Sequence, residues 1–425
     1  MKINLKNING YTKELTCTVP WKDLKDSFQD EFDRMKSNHT PKGGRKGRVF
    51  GRDLELFKKN YITAIEANFA EKSLNEYYQQ SIQEENLTPI DQAKVSNLDF
   101  SKEKDLCFTL SFQVVPDIKL PSYQKKFKIN MIRYNQSDED VELSLNELRE
   151  QHSNIKTVDG GAKSGHFIMG DFQELDESDL PIIGKKMEKQ YIKLGIGAFT
   201  EAAEKDLLGV KSEEKRKVTV NYGEGKKARY EIHIHKVEEQ VLPDLNDDFA
   251  ITVSPDLKSL DKLKSKVKEN IQRSIDDDYD KRKRQELINY FVSKTKFEAP
   301  DSMVNRYLDK LIEEKSTKDK NLDKEKFREE SKPGAEFNVK WFIIKDTLVE
   351  TAEISINDDD IKNEIDKIVK ESNEEEQKIQ EFFSDDNNKG SLASNLLNDR
   401  LFTHISEFSV IKDKEKNTSE LRKPT

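Results

Sequence analysis

At 425 residues the chain exceeds one ordinary core, and two or three domains are expected. Hydrophobic residues make up 34% and charged residues 36%, with 73 Lys and Arg against 82 Asp and Glu. The resulting net charge of −9 argues against general nucleic-acid binding by the whole molecule but leaves room for a local basic site.

So few apolar residues among charges of both signs can mean disorder. Here they recur at regular spacings, which predicts extended helical structure with small cores and much exposed surface. The first hundred residues read as α+β. Trp21, Leu24, Phe28, Phe32 and Met35 recur at helical spacing after Pro20, and Ile62, Ile65, Phe69, Leu74 and Tyr78 mark a second helix. Between them lies a glycine-rich basic stretch. From Leu106 the period changes to two: Phe108, Leu110, Phe112 and Val114 alternate with polar residues, predicting a half-buried strand closed by Pro116.

Residues 121–151 read as a linker running into a helix, with Val141, Leu143, Leu145 and Leu148 as its apolar positions. Past Gly160, Gly161, Gly165 and Gly170 the chain turns β-rich to about residue 239. Its clearest strands are 217–220 and 230–237, separated by the short turn Tyr222-Gly223-Glu224-Gly225. After Pro243 nearly everything to about residue 410 reads as charged amphipathic helix, with breaks at Pro300, Pro333-Gly334 and 385–390. The polar residues 413–425 read as a disordered tail.

Cys17 and Cys107 lie far apart with no metal-type spacing, as two small buried or half-buried thiols in a reducing compartment would. The first residues carry no apolar segment before a small-residue cleavage site, and no apolar run approaches a membrane span. A cytoplasmic location without a membrane partner is expected. His233 and His235 alternate with Ile232 and Ile234, so both imidazoles share one strand face. Paired histidines can ligate a metal, but no third ligand stands at a suitable spacing, and an exposed strand face without metal is expected. Trp341-Phe342-Ile343-Ile344 with Leu348 reads as helix core. There is no convincing hydrolytic triad, P-loop or dinucleotide fingerprint, and no cofactor is expected.

The strongest local signal is Gly43-Gly44-Arg45-Lys46-Gly47-Arg48. From Lys42 to Lys59 there are seven basic residues (42, 45, 46, 48, 52, 58, 59) against two acidic ones (53, 55). Glycines allow a tight exposed loop from which arginine and lysine reach phosphate or carboxylate oxygens. The residues alone fit either a docking loop or a solvated basic turn.

With Val49 and Phe50 appended, this stretch resembles the Gly-Phe-Arg-Lys-Gly-Lys-Val-Pro signature of the bacterial trigger-factor family, which also lies between two helices. Gly44 stands where the family has Phe, and Phe50 where it has Pro. Residues 112–118, 236–249 and 297–300 are similar to three further family segments, in the same order along nearly the whole chain.

The resemblance implies an α+β multidomain fold. Residues 1–115 form a ribosome-binding domain, and 116–152 a linker and the first part of the C-terminal domain. An FKBP-like β-rich domain (153–240) is inserted into an elongated all-α chaperone domain that resumes over 241–412. The implied function is ATP-independent holding of unfolded nascent polypeptides on apolar patches of a helical cradle. Residues Gly43 to Arg48 would dock beside the ribosomal exit tunnel on a large-subunit protein and rRNA, and the free protein could dimerise as relatives can.

The alternative is an active FKBP-type peptidyl-prolyl isomerase, for which Asp171, Phe172, Tyr191 and Phe199 are the pocket candidates. That pocket reads as degenerate. The family's Ile, Pro and Phe become Thr200, Glu201 and Ala203 in an ungapped comparison, residues 179–183 carry no aromatic, and the loop before the last strand is cut short. Without an aromatic floor a pocket desolvates proline poorly. A structural or substrate-contacting domain is expected.

Overall fold

Four antiparallel strands form the first sheet: Lys2–Asn7 (β1), Thr12–Val19 (β2), Lys94–Asp99 (β3) and Leu106–Gln113 (β4), in the order β1-β2-β4-β3. The period-two pattern of β4 buries every second side chain. Leu15, Cys17 and Val19 of β2 join Phe108, Leu110 and Phe112 on the buried face. Two helices, Trp21–Asn38 (α1) and Arg52–Glu84 (α2), cover that face through Leu24, Phe28, Ile65 and Phe69. Phe28 meets Phe69 edge-on at 5.2 Å, so the helical repeats seen in the sequence are the two sides of one aromatic core.

The computed structural model describes residues 1–197, 199–222, 227–372 and 375–422. By contact the chain divides into two units, residues 1–131 with 283–412 and residues 132–282 with 413–425. Where the sequence predicts a linker there is a strand, Phe127–Asn135 (β5), followed by Asp138–Gln151 (α3), which opens on a Ser137–Asp140 capping box.

The second sheet has five strands: Asn154–Thr157 (β6), Phe167–Leu175 (β7), Pro181–Lys193 (β8), Lys215–Asn221 (β9) and Lys227–Val241 (β10). Their order is β6-β10-β7-β8, with β9 also on β10. The 15-residue β10 serves three partners along its length. A short helix, Glu201–Leu207 (α4), packs on β9. Ile168, Phe172, Val218, Ile232 and Ile234 fill the core. Gly170 is required on β7, because a Cβ there would lie 2.5 Å from the His233 carbonyl oxygen. The expected turn at 222–225 falls largely outside the described residues, but β9 and β10 pair as a hairpin from Asn221 opposite Lys227.

Asp247–Val253 (α5) and Leu260–Lys294 (α6) follow. Leu145 of α3, Phe249 and Ala250 of α5, and Leu263 and Val267 of α6 share a small core. By contact residues 241–282 fall in one unit with residues 132–240.

Asp301–Ser316 (α7), Lys324–Thr351 (α8), Asp358–Glu371 (α9), Glu376–Phe382 (α10) and Asp386–Glu407 (α11) complete the helices. Pro300 breaks the chain as expected, at the N-cap of α7. α7 is tied to the first sheet's end: Ser302 N–H donates to Gln113 Oε1 at 3.0 Å, and Arg306 donates to the Ile90 carbonyl at 2.6 Å. The expected break at Pro333-Gly334 is absent, and α8 runs through it. Both residues sit on an exposed face where water can satisfy the freed carbonyl, while Ala335, Val339 and Ile343 hold the opposite face. The last break narrows to 383–385, where the Asp385 side chain caps α11, so Gly390 is helical.

The tail is also corrected. Ser409–Asn417 (β11) pairs with β5, and a 3-10 turn covers Thr418–Arg422. The pairing runs on backbone and polar contacts that leave no apolar pattern: Phe127 N–H donates to the Phe408 carbonyl at 3.1 Å, and Thr418 Oγ1 to the Asn135 carbonyl at 3.3 Å. Among the described residues no helix is long and apolar enough to cross a membrane.

Candidate functional site

The basic loop joins α1 to α2 and is built from two tight turns. Gly44 N–H donates to the Pro41 carbonyl at 2.9 Å, and Arg48 N–H to the Arg45 carbonyl at 3.0 Å. A bond of 2.8 Å from Gly47 N–H to the His39 carbonyl closes the base. Gly43 and Gly47 have φ of 78° and 77°, the left-handed region that glycine enters without penalty.

Val49 is fully buried and pins the loop to the core beneath, where the His39 ring sits 5.0 Å from both Phe57 and Tyr61. Arg45, Lys46 and Arg48 are thereby held outward, and all seven basic side chains of the stretch are exposed. At Gly44 a Cβ would meet Pro41 Cγ at 2.9 Å, so a side chain there requires the proline to shift. Phe50 is 70% exposed, with Lys36 Nζ 5.8 Å from its ring centroid. An exposed aromatic therefore lies at the end of the basic loop, although Gly44, the position just before Arg45-Lys46, carries none.

A second feature lies among the helices of the same unit. α7, α8, α11 and the end of α6 enclose an open groove of about 540 Å³. Met303, Tyr307, Trp341, Phe342 and Phe402 form its apolar walls, and Arg284, Arg306, Lys310 and Lys345 its rim. The sequence reading of Trp341 to Ile344 as core holds only for Ile343 and Ile344, which are buried, while Phe342 is 49% exposed. Four successive residues turn through most of a helix circumference, so one face cannot hide them all.

The isomerase candidates are divided between the two faces of the sheet. Phe172 points into the β-rich core and meets Phe199 at 5.8 Å and Tyr230 at 6.1 Å. Asp171, the next residue along the strand, faces the other way. Tyr191 shares that outer face, stacked on Phe167 at 5.1 Å with its hydroxyl 2.6 Å from Glu238 Oε2. Partial burial and this carboxylate raise the Tyr191 pKa to about 12. Sequence reasoning missed Tyr230, whose hydroxyl lies 3.1 Å from that of Tyr222. Its place at the start of an alternating strand was the available signal.

A module with a projecting basic loop, a β-rich module and helices around an open apolar groove define a modular protein-binding scaffold. Models of the bacterial trigger factor protein match residues 1–148 and, for its C-terminus, residues 259–407, together well over half of the chain. The chain belongs to the bacterial trigger factor family.

A trigger factor of Bacillus cereus is 25% identical over 391 residues, covering 87% of this chain and 91% of that protein. One of a Geobacillus species is 24% identical over 404 residues, covering 90% and 93%. The fold is shared with a solved structure of a trigger factor chaperone, described for promiscuous substrate recognition in folding and assembly. The TM-score is 0.54 at 17% identity, with 96% of this chain and 99% of that one covered.

Proposed function

We infer that the chain is an ATP-independent, ribosome-associated chaperone that holds unfolded nascent polypeptides, in keeping with its family. The observation that carries the holding role is the helical groove, whose apolar walls stay open to solvent inside a basic rim. Apolar surface bordered by charge takes up many unfolded segments weakly while keeping the carrier soluble. Capture then runs on hydrophobic contact and release on competition with folding.

In this reading Gly43, Gly44, Arg45, Lys46, Gly47 and Arg48 dock beside the exit tunnel on a large-subunit protein and rRNA. Residues 1–115 carry docking, and 153–240 form an FKBP-like domain that serves as structure or substrate contact. The protein works in the cytoplasm, and the free protein can pair as a homodimer. The split of Asp171 and Tyr191 from Phe172 and Phe199 supports a degenerate isomerase site. The test of holding is suppression of aggregation of a chemically unfolded client without nucleotide. Stoichiometric suppression, unchanged by ATP, is expected. Aggregation at the rate of the client alone contradicts the reading.

A further inference from the structure

On the outer face of the five-stranded sheet three side chains converge. Asp171 of β7 lies directly opposite His233 of β10, and His235, two residues further along β10 beside the register shift between Ile234 and Lys236, shares its face. The two imidazole centroids are 4.9 Å apart, and His235 Nε2 is 3.0 Å from Asp171 Oδ1. One ligand atom from each of the three lies within 4.8 Å of the others. Glu213, in the segment leading into β9, places Oε2 3.5 Å from His233 Nε2.

We propose that Asp171, His233 and His235 bind a divalent transition-metal ion of the zinc, nickel and copper class, with Glu213 or water completing the coordination. Two imidazoles and a carboxylate are the donor set this class prefers over calcium or magnesium. With metal–ligand bonds of about 2.0–2.2 Å, tetrahedral donor atoms stand about 3.3 Å apart. Rotation of side chains already on one face closes the remaining distance. All three are partly exposed, so the ion enters from solvent without opening the core.

Asp171 Oδ1 accepts the Lys189 N–H at 2.9 Å, which orients the carboxylate from behind as supporting bonds do in metal sites. The competing cation is Lys186, 3.5 Å from Asp171 Oδ2, which also has Glu188 Oε1 at 2.7 Å as an alternative partner. Spacing in the sequence could not show the site, because its third ligand comes from a neighbouring strand. A bound ion would clip β7 to β10 and brace the β-rich domain.

The test is calorimetric titration of the chelator-stripped full chain with Zn²⁺, and with Ni²⁺ in parallel. One ion per chain is expected, with affinity at least tenfold lower in a His233→Gln/His235→Gln variant and in Asp171→Asn, and unchanged in His152→Gln. Zn²⁺ should raise the Tm of the wild type but not of the double variant, and the Co²⁺ form should lose its visible d–d absorption in that variant. Lys186→Ala, which leaves every ligand in place, should bind several-fold tighter. No binding by the wild type, undiminished binding by either ligand variant, or no gain in Lys186→Ala overturns the proposal.

Discussion

Trp341 of α8 and Phe402 of α11 stack with ring centroids 5.9 Å apart and 29° between their planes. Arg284 lies over the other end of this wall, 5.3 Å from the Phe402 centroid and 2.8 Å from Asp399 Oδ1. The groove is therefore braced by an aromatic pair and an ion pair. Phe342, one residue beyond Trp341, stays half-exposed in the groove, with Lys345 Nζ 5.7 Å from its ring centroid.

Because Phe342 is half-exposed, Phe342→Ala should change folding stability by less than about 0.5 kcal/mol. Loss of an aromatic anchor should weaken binding of an unfolded client about tenfold, or about 1.4 kcal/mol. Anisotropy titration with a labelled unfolded protein checks this. Unchanged affinity would move holding away from the groove.

The loop's shape depends on Gly47, where φ is 77° and a Cβ would stand 3.1 Å from the Ser37 carbonyl oxygen. Gly47→Ala should destabilise the N-terminal module by about 1–2 kcal/mol in urea unfolding. Gly10→Ala, with open space around its Cβ, should stay within about 0.5 kcal/mol. Equal effects of the two would mean the backbone at Gly47 carries no special constraint.

What was legible in the sequence was what short-range period encodes. The alternation of Phe108 to Val114 and the helical repeat from Trp21 to Met35 each report a face buried against a local core. The strand at Ser409–Asn417 was not legible, since a polar strand held by backbone bonds leaves no apolar pattern. Nor was the groove: the Trp341–Phe402 contact joins helices whose own periodicities say nothing about each other. The glycine and arginine spacing of the basic loop was plain, because its conformation is set within a few residues. The division of Asp171 from Phe172 was readable in principle, since adjacent strand residues face opposite ways.

Asp360 sits in the first turn of α9, where Arg400 and the Asn357 N–H hold its carboxyl below the ordinary carboxylate pKa. A depressed folded-state pKa means the pair stabilises the fold above the unfolded pKa and is lost as pH falls through the folded value. The Tm advantage of wild type over Asp360→Asn should therefore be largest at neutral pH and shrink below about pH 3.9. A difference independent of pH would assign the effect to helix capping alone.

The division of Asp171 and Tyr191 from Phe172 and Phe199 predicts little acceleration of peptidyl-prolyl exchange by the full chain in an NMR exchange assay. Acceleration at the level of an FKBP enzyme, abolished by Tyr230→Ala, would show that the Phe172, Phe199 and Tyr230 cluster forms a working pocket.

Co-sedimentation with vacant ribosomes, comparing wild type with Arg45→Ala/Lys46→Ala at low and moderate salt, tests the central claim most directly. Salt-sensitive pelleting of the wild type, lost in the variant, is the predicted result. Equal pelleting of both proteins, or pelleting of neither, would contradict docking through the basic loop.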